Sequence, residues 1–493
     1  MQLPPEVQTV ITKLNQAGFE AYAVGGCVRD LLLGKEPKDW DVTTSANPNE
    51  IQTVFPNSFY TNNFGTVTVR TGKDEGIREI EVTTYRIDAG YNDQRHPDSV
   101  TFTQSLKEDL ARRDFTVNAM ALRLAPLAQG KPLSDSVVIN GMTIIDPFGG
   151  LKDLNDRVIR AVGTPSERFS EDALRLMRAV RFSAQLGFTI EEHTLKAITE
   201  YAPSISAVSH ERIRDELIKI VESKGPEHGM NVLQHTGLLA LILPELQEGV
   251  GVGQNKHHTY TVFDHCIKSL QFAAHYEYSL HVRLAALFHD VGKPRTKRLQ
   301  GNDYTFYGHD IVGARMTEHL MKRLKFPSEI TNQVSHLVRQ HMFYYDVNKV
   351  TAAGARRLLR RVGKENFDDL IKLRIAERKG SGVPKAEPYR LRHLQFMVEN
   401  ASKEPISVGQ LAISGNELVN DLGMRPGPIF GGILNALLAE VLEDPKKNTK
   451  EYLLKRADEI KDKSPDELKK LGAIAIEEEE KKQEEEIKRK YHV

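Results

Sequence analysis

The sequence has few cysteines and no surplus of charge of either sign. Cys27 and Cys266 are its only cysteines, and they stand far apart and outside any CxxC pair. This excludes a disulfide-built scaffold and a zinc site of paired thiolates, and it suits a reducing compartment. Lys plus Arg number 67 and Asp plus Glu number 67, so the formal net charge is zero. Any nucleic-acid surface must therefore be a local cluster of Arg and Lys.

Long apolar runs are also lacking. No stretch approaches the ~18–20 uninterrupted apolar residues of a membrane-spanning helix, and the first residues do not resemble a signal peptide. We therefore expect a cytoplasmic protein without membrane contact. The chain has 493 residues, 40% of them hydrophobic and 27% charged. It is too long for one core, and its composition is ordinary for a soluble protein, so three or four domains are expected.

Strand and helix signals mix in the first part of the chain and give way to helical periodicity after Asp146. Helical spacing marks residues 6–17. Strands are predicted from β-branched or alternating runs at 20–24, 67–70 and 77–82. From about residue 166 the pattern is helical and is broken by Gly and Pro. We predict an α+β protein in which a small mixed-sheet head precedes all-α domains.

A Gly25-Gly26 pair follows the first predicted strand, and Arg29 lies on the helical turn after it. Two glycines at a strand end let a phosphate approach the backbone, and a nearby guanidinium could clamp a triphosphate. Most glycine pairs are simply tight turns, so this signal needs support from its neighbours.

Carboxylates supply that support. Asp39 and Asp41 are two residues apart before a predicted strand, so their side chains would share a face. Carboxylates so close repel each other unless a cation lies between them, and oxygen ligands suit Mg²⁺. Glu81 on a neighbouring predicted strand could complete a two-metal site. The plain alternative is a solvated edge strand with capping aspartates.

Four motifs in fixed order favour the metal site over the solvated edge strand. GGCVRDLLLG, DWDVTT, EVTTYR and DLARRDFTVNAMA occur within the first 121 residues, and further motifs follow at 146–153, 168–175 and 210–217. Together they resemble the class II tRNA CCA-adding enzymes and bacterial poly(A) polymerases, a branch of the polymerase-β superfamily. Several independent motifs over nearly half the chain make a chance match improbable. The resemblance implies a nucleotidyltransferase head at 1–145 and a helical neck at 146–225.

The resemblance also assigns roles to single residues. It implies that Asp39 and Asp41 bind catalytic Mg²⁺, with Glu81 beside them. It implies nucleotide contacts for Gly25, Gly26, Arg29, Arg112, Arg113, Asp114, Asp172, Arg175, Arg178 and Arg181. Asp172 and Arg175 would read the Watson–Crick edge of the base, since C and A carry an amino group where U and G carry a carbonyl. An exposed, salt-bridged helix face is the alternative for these neck residues.

The resemblance implies tRNA, CTP and ATP as partners. It leaves open which nucleotides are added to the 3′ end. Residues 91–100, which contain Asp93 and Arg95, look like the flexible loop of full CCA-adding enzymes. We therefore predict CCA addition. An enzyme that adds only the terminal A and a poly(A) polymerase are the alternatives. An alternative of another class is a metal phosphohydrolase whose head is an RNA-binding module.

A second constellation lies in the middle of the chain. His265, the adjacent pair His289-Asp290, His309 and His341 recur along helical sequence. This resembles an HD phosphohydrolase domain, which we place at 226–385. Nitrogen and carboxylate ligands together suit Mn²⁺, Ni²⁺, Fe²⁺ or Zn²⁺. The set predicted to bind this metal is His265, His289, Asp290 and Glu377.

Glu377 is a departure from the HD pattern, which closes its site with an aspartate. The extra methylene shifts the carboxylate, so metal binding is better supported than hydrolysis. If active, the domain would hydrolyse 2′,3′-cyclic or terminal phosphates of RNA ends.

A basic stripe precedes the last predicted domain. It comprises Arg356, Arg357, Arg360 and Arg361, at i,i+4 spacing and with few acids between them. Phosphate contact and a solubilising surface are the two interpretations. We expect 386–493 to form a helical tRNA-binding region that ends in a charged tail, and we leave the oligomeric state open.

Overall fold

The structure, a computed structural model, divides the chain into two compact units, Met1–Ile242 and Leu243–Val493. The predicted division into four domains is finer and stays a prediction. The residues that the structure describes are 3–62, 65–71, 79–89, 99–124, 135–139, 142–254, 259–343, 345–347, 350–382 and 387–472. The predicted charged tail lies outside them.

The first unit contains twelve strands among its described residues. They are β1 (Ala21–Val24), β2 (Asp41–Thr44), β3 (Ser58–Asn62), β4 (Thr66–Arg70), β5 (Glu79–Thr84), β6 (Arg86–Ala89), β7 (Ser99–Phe102), β8 (Ala121–Arg123), β9 (Ser136–Ile139), β10 (Met142–Ile145), β11 (Val158–Ile159) and β12 (Thr189–Ile190). Eight of them form one sheet in the order β3-β4-β5-β2-β1-β8-β10-β9. Within it β2 and β5 are parallel, while β2 and β1 are antiparallel. The predicted mixed sheet is confirmed.

Buried β-branched residues fix the centre of this sheet. Val42, Ile80 and Val82 have no exposed surface, and alternation along β5 sends Glu79 and Glu81 outward. A shift of β5 by one residue would bury both glutamates. The apolar pattern therefore sets the register that places Glu81 beside β2.

Helices make up the rest of the first unit. They are α1 (Pro5–Gln16), α2 (Gly26–Leu32), α3 (Pro48–Val54), α4 (Leu106–Ala111), α5 (Gly150–Asp156), α6 (Pro165–Glu171), α7 (Leu174–Leu186), α8 (Glu192–Tyr201), α9 (His210–Val221), α10 (Pro226–His235) and α11 (Leu238–Ile242), with 3₁₀ turns at Thr116–Asn118 and Ala202–Ala207. Gly229 on α10 packs on α7, because a Cβ there would lie 3.1 Å from that of Ala184. This contact joins α10 to the neck helices.

The second unit is helical apart from one hairpin. Its helices are α12 (Pro244–Gln247), α13 (Val262–His275), α14 (Leu280–Phe288), α15 (Lys293–Thr296), α16 (His309–Arg323), α17 (Ser328–Gln340), α18 (Ala352–Val362), α19 (Lys364–Gly380), α20 (Tyr389–Ala401), α21 (Gly415–Asn420), α22 (Ile429–Glu443), α23 (Lys450–Ile460) and α24 (Pro465–Gly472), with 3₁₀ turns at Val408–Gln410 and Pro445–Lys447. The hairpin pairs β13 (Arg298–Gln300) with β14 (Asp303–Thr305). The helical prediction missed its Gly301-Asn302 turn, a common hairpin signal.

Side-chain caps and close helix contacts define the second unit. Thr261 and Ser279 cap α13 and α14 by accepting from backbone N–H groups in the first turn. Gly380 lets α19 touch α13, since a Cβ there would lie 2.2 Å from Oγ of Ser269. No helix in the described part of the chain is both long and apolar enough to cross a membrane.

Candidate functional site

Three carboxylates meet where two central strands of the sheet run side by side. Asp41 is the first residue of β2, and Glu81 is its paired neighbour in β5. Asp39 precedes Asp41 by two residues. Asp39 precedes the strand, and its charge acts on both Asp41 and Glu81. The structure thus brings the three predicted catalytic residues together.

The electrostatics of this cluster favour a bound cation. Burial raises the pKa of Asp41, Arg113 opposes the rise, and Asp39 adds to it. Burial and the charges of Asp41 and Asp39 also raise the pKa of Glu81. Each carboxylate therefore makes ionisation of the others less favourable, and a divalent cation removes that cost. A donor set of carboxylate oxygens alone fits a hard divalent ion.

Gly25 is required for the contact between Arg113 and this cluster. Its φ is 87°, which L side chains rarely adopt. A Cβ at Gly25 would lie 2.7 Å from Nη1 of Arg113 and 3.6 Å from Oδ2 of Asp41. Any side chain would displace the arginine. At Gly26 the nearest atom is Nη2 of Arg29, 3.6 Å from a Cβ, which is an ordinary contact distance.

Arg113 differs from the other predicted arginines of the head in the partners that the described residues offer it. Its buried Nε has no hydrogen-bond partner among the described residues. Arg29 is buried and donates from Nη1 to Oδ1 of Asn118 at 2.7 Å. Arg112 donates from Nε to Oδ1 of Asp109 at 2.9 Å. Arg113 is therefore the arginine best placed to meet an anionic ligand.

Neck arginines fix the backbone of the segment that carries Arg113. Nη1 of Arg168 donates to the carbonyl of Ala111 at 3.2 Å. Nη2 of Arg175 donates to the carbonyl of Arg112 at 3.3 Å. Arg175, predicted to read the base, also supports the head. Arg168 was quoted as part of a motif but was not predicted as a site residue.

Arg178 and Arg181 form ion pairs with buried carboxylates. Arg178 donates from Nε to Oδ2 of Asp114 at 2.7 Å. Burial alone would raise the pKa of Asp114, but the Arg178 guanidinium outweighs it and holds that pKa at about 2. Arg181 is buried and donates from Nη1 to Oε1 of Glu216 at 3.0 Å. The predicted nucleotide contact of Arg181 stays a prediction, and in this structure its guanidinium pairs with Glu216.

Asp172, the predicted base-reading carboxylate, ends α6 and is held by two donors. Its Oδ1 accepts from the backbone N–H of Leu174 at 3.0 Å, and its Oδ2 accepts from Nη2 of Arg212 at 2.8 Å. Arg212 lies on α9 within the HERIRDEL motif. The motif was noticed in the sequence, but nothing in it names Asp172 as a partner. The structure makes Arg212 the residue that orients Asp172.

Four histidines surround Asp290 in the second unit. Oδ2 of Asp290 lies 3.4 Å from Nε2 of His265 and 3.2 Å from Nε2 of His289. Oδ1 lies 3.5 Å from Nε2 of His309 and 3.8 Å from Nε2 of His341. All five side chains are buried. The residues form two groups that could each hold a metal ion, and Asp290 belongs to both.

The predicted ligand Glu377 is not a member of either group. Both of its carboxylate oxygens accept from Nη1 of Arg374, at 2.7 and 2.6 Å. Glu377 pairs with an arginine one helical turn away, and its role as a ligand stays a prediction. His309 and His341 are further potential ligands. The sequence showed both histidines, but their spacing did not reveal their common centre.

The basic stripe on α18 has acidic and carbonyl partners on other helices. Arg356 is buried and donates from Nε to the carbonyl of Leu442 at 2.6 Å and from Nη1 to Glu404 at 2.5 Å. In this structure Arg356 satisfies free carbonyls at the end of α22, and its predicted phosphate contact stays a prediction. Arg357 pairs with Glu443.

The other two arginines of the stripe differ in exposure. Arg360 donates to Oδ1 of Asn435 at 3.4 Å, and Arg361 is exposed. RNA contact by Arg357, Arg360 and Arg361 stays a prediction. Residues 91–98 of the predicted flexible loop, with Asp93 and Arg95, lie outside the described residues, and 99–100 begin β7.

Family models match three parts of the chain. The Poly A polymerase head domain matches residues 21–160, and the "Probable RNA and SrmB- binding site of polymerase A" matches residues 187–249. The HD domain matches residues 262–378. The first match contains the three carboxylates and the third contains the histidine cluster. The class is therefore a nucleotidyltransferase that also carries an HD domain.

Relatives match over nearly the whole chain. The CCA-adding enzyme of Limosilactobacillus reuteri is 33% identical over 458 residues, which cover 92% of this chain and 95% of the relative. That of Enterococcus faecalis is 33% identical over 468 residues, covering 91% and 94%. The solved Bacillus stearothermophilus CCA-adding enzyme in complex with CTP is 28% identical, covers 94% and 100% of the two chains, and has a TM-score of 0.68. This chain belongs to the family of CCA-adding enzymes.

Proposed function

We propose that this protein is a tRNA nucleotidyltransferase that adds C, C and A to the 3′ end of tRNA, using CTP and ATP. The observation that carries the proposal is the pairing of Asp41 on β2 with Glu81 on β5, together with Asp39, whose charge acts on both carboxylates. The names of the relatives, and the CTP in one solved structure, support the same activity.

Asp39 and Asp41 would hold Mg²⁺, with Glu81 completing the carboxylate set. Bound there, Mg²⁺ supplies positive charge that activates the primer 3′-hydroxyl and offsets the charge of the departing pyrophosphate. Arg113 adds a guanidinium beside Asp41, where it can pair with phosphate oxygens. These residues act by positioning and charge, so no covalent enzyme intermediate is needed.

Selection of the base would fall to the neck. The carboxylate of Asp172 can accept from the amino group that C and A share, and Arg175 can donate to a ring nitrogen or carbonyl. Arg212 donates to Oδ2 of Asp172 and so orients its carboxylate. In this way side chains would replace a nucleic-acid template.

Primer extension tests the activity. A tRNA transcript that ends before CCA and one that ends in CC are incubated with Mg²⁺ and with CTP, ATP or both. We expect the first transcript to gain C, C and A when both nucleotides are present. Growth of the CC transcript alone, by a single A, would make the protein an A-adding enzyme. A long A tail would make it a poly(A) polymerase.

The alternative of another class, a phosphohydrolase with an RNA-binding head, predicts no nucleotide addition. It requires no metal-binding carboxylates in the head, whereas Asp41 and Glu81 pair directly across neighbouring strands. Failure of both transcripts to grow, under conditions where the protein hydrolyses phosphate esters, would favour it.

The histidine cluster supports a second activity. Buried imidazoles around a carboxylate suit Mn²⁺, Ni²⁺, Fe²⁺ or Zn²⁺. We propose that this site hydrolyses 2′,3′-cyclic or terminal phosphates at RNA 3′ ends, which would prepare damaged ends for nucleotide addition. Hydrolysis of 2′,3′-cAMP that depends on added metal, and that His289→Ala removes, is expected. Absence of metal-stimulated hydrolysis, with nucleotide addition intact, would eliminate this activity.

A further inference from the structure

One aromatic ring of the neck is surrounded by guanidinium groups. Phe182 lies on α7 and is buried. The guanidinium carbon of Arg181 lies 4.1 Å from the centre of this ring, that of Arg29 lies 5.2 Å away, and that of Arg178 lies 5.5 Å away. All three are within the ~6 Å over which the face of a ring attracts a cation. Arg29 is the one among them that comes from the head, on α2.

The ring lies among charges that repel one another. The pKa of Arg181 is lowered to about 10, first by burial and then by the positive charges of Arg178 and Arg29. An aliphatic side chain at position 182 would fill the space without offsetting these charges. The face of a phenylalanine ring carries negative charge density, so Phe182 both packs and stabilises the guanidinium groups.

Phe182 contacts the head at a second place. Its ring meets that of Phe115 edge-on, with the ring centres 5.7 Å apart. Phe115 follows Asp114 in the chain. Asn118 joins the two contacts, because it accepts from Nη1 of Arg29 at 2.7 Å and donates to Oδ1 of Asp114 at 3.2 Å. The ring is therefore held by the same part of the head that holds Arg29.

Both terminal nitrogens of Arg29 lie beside the glycine turn. A Cβ on Gly26 would lie 3.6 Å from Nη2 and 3.9 Å from Nη1. Nε and Nη2 lie 2.9 and 2.8 Å from Oδ1 of Asp30, and Nη1 donates to Asn118. Each terminal nitrogen carries two hydrogens, so among the described residues one on each is left for an anion at this turn.

We propose that Phe182 is a positioning residue for nucleotide addition, and that its ring holds the Arg29 guanidinium where it binds the triphosphate shared by CTP and ATP. The inference rests on the nucleotide addition proposed above. Because Arg29 would contact the triphosphate before and during the reaction, its displacement should weaken substrate binding more than it slows the chemical step. Both nucleotides should be affected alike, since the contact does not involve the base.

Primer extension by the full chain carrying Phe182→Leu tests this role. CTP is titrated with the transcript that ends before CCA, and ATP with the transcript that ends in CC. We expect KM to rise about 10-fold for both nucleotides, with a smaller change in kcat. Phe188→Leu is the matched control. Phe188 is also buried in the neck, and the described residues place no cation over its ring. This variant should lose stability to urea with KM unchanged.

Ring fluorination separates the charge of the Phe182 face from its shape. Phenylalanine with one, two or three ring fluorines replaces Phe182 in the full chain, which also serves if Phe182→Leu fails to fold. Fluorine withdraws negative charge from the face, so KM should rise with each fluorine. A KM that stays constant across the series, or a rise for one nucleotide only, would overturn the inference while wild-type protein still adds nucleotides. Wild-type protein that adds none would instead overturn the proposed function.

Discussion

Single residues in the head control the position of the Arg113 guanidinium beside the carboxylate of Asp41. Gly25 has no side chain, and this allows Nη1 of Arg113 to approach within 2.7 Å of where a Cβ would lie. Asp114 pairs with Arg178 inside the protein, which fixes the residue next to Arg113. Neither contact involves the carboxylate cluster itself, yet both control the guanidinium that stands beside it.

Gly25→Ala should abolish most nucleotide addition. The new methyl group would push Arg113 away from Asp41, and displacement of a positioning group by about 1 Å can cost about 100-fold in rate. The backbone would also be strained by roughly 1–2 kcal/mol. Primer extension under single-turnover conditions measures the effect. Gly34→Ala is the matched control, since Gly34 also has positive φ but no atom within 4 Å of its Cβ position. Equal losses in both variants would mean that strain alone is responsible.

Asp114→Asn should destabilise the first unit in a pH-dependent way. The pKa of Asp114 is about 2, against about 3.9 in an unfolded chain. A lowered carboxyl pKa contributes stability that is present above the unfolded value and is lost as pH falls through the folded value. The difference corresponds to about 2–3 kcal/mol at pH 7.

Trp40 provides the measurement for this variant, because it is the only tryptophan and is buried in the first unit. Its fluorescence would follow unfolding by urea at several pH values. The gap between wild type and Asp114→Asn should shrink as the pH falls from about 4 to about 2. Asp156→Asn, at an exposed position of the same unit, should change little. A gap that is constant with pH would contradict the ion-pair account.

At the scale of secondary-structure elements, helices carry side chains that form hydrogen bonds at the ends of other helices. α9 supplies Arg212 to the end of α6, and α18 supplies Arg356 to the end of α22. The contact between α13 and α19 places His265 and Gly380 on neighbouring helices. That contact depends on close backbone approach, since a Cβ on Gly380 would lie 2.7 Å from the backbone nitrogen of Ser269.

Gly380→Ala should therefore separate α13 from α19 and lower the stability of the second unit. Overpacking of this kind costs about 1–3 kcal/mol. Because His265 lies on the helix that is displaced, Mn²⁺ should also bind more weakly to the histidine cluster. Differential scanning calorimetry and Mn²⁺ titration measure the two effects. Gly409→Ala, where no atom lies within 4 Å of the added Cβ, should leave both unchanged. An unaltered Gly380→Ala protein would show that the helices can move apart without cost.

For the whole molecule, the two candidate sites are built from separate compact units. All three carboxylates lie within Met1–Ile242, and all four clustered histidines lie within Leu243–Val493. No side chain is shared between the two ligand sets. The chemistry of each site therefore depends on its own unit for the positions of its ligands.

Paired variants should separate the two activities. Asp39→Ala with Asp41→Ala should abolish nucleotide addition and leave Mn²⁺ binding and cyclic-phosphate hydrolysis by the second unit in place. His289→Ala should have the reverse effect, because it removes a ligand of the cluster only. Primer extension and hydrolysis of 2′,3′-cAMP are measured on the same preparations. Loss of both activities in either variant would show that the sites are coupled.

Much of the head could be predicted from the sequence because its signals are local. The two aspartates are only two residues apart in the sequence, so their carboxylates stay close to each other wherever β2 begins. Apolar alternation in 77–82 predicted the strand that carries Glu81. The recurrence of the histidines and of the His289-Asp290 pair along helical sequence likewise indicated a candidate metal site.

Tertiary structure decided which partner each charged group meets. Arg356 finds the carbonyl of Leu442 86 residues later, although its neighbours in sequence suggested an unpaired basic surface. Glu377 lies near the histidines, yet Arg374 holds its carboxylate, and His341 is a further potential ligand. Local spacing fixes which way a side chain points, because backbone geometry repeats along a helix or strand. The choice among distant partners depends on how helices pack, and buried charges must be satisfied wherever that packing places them.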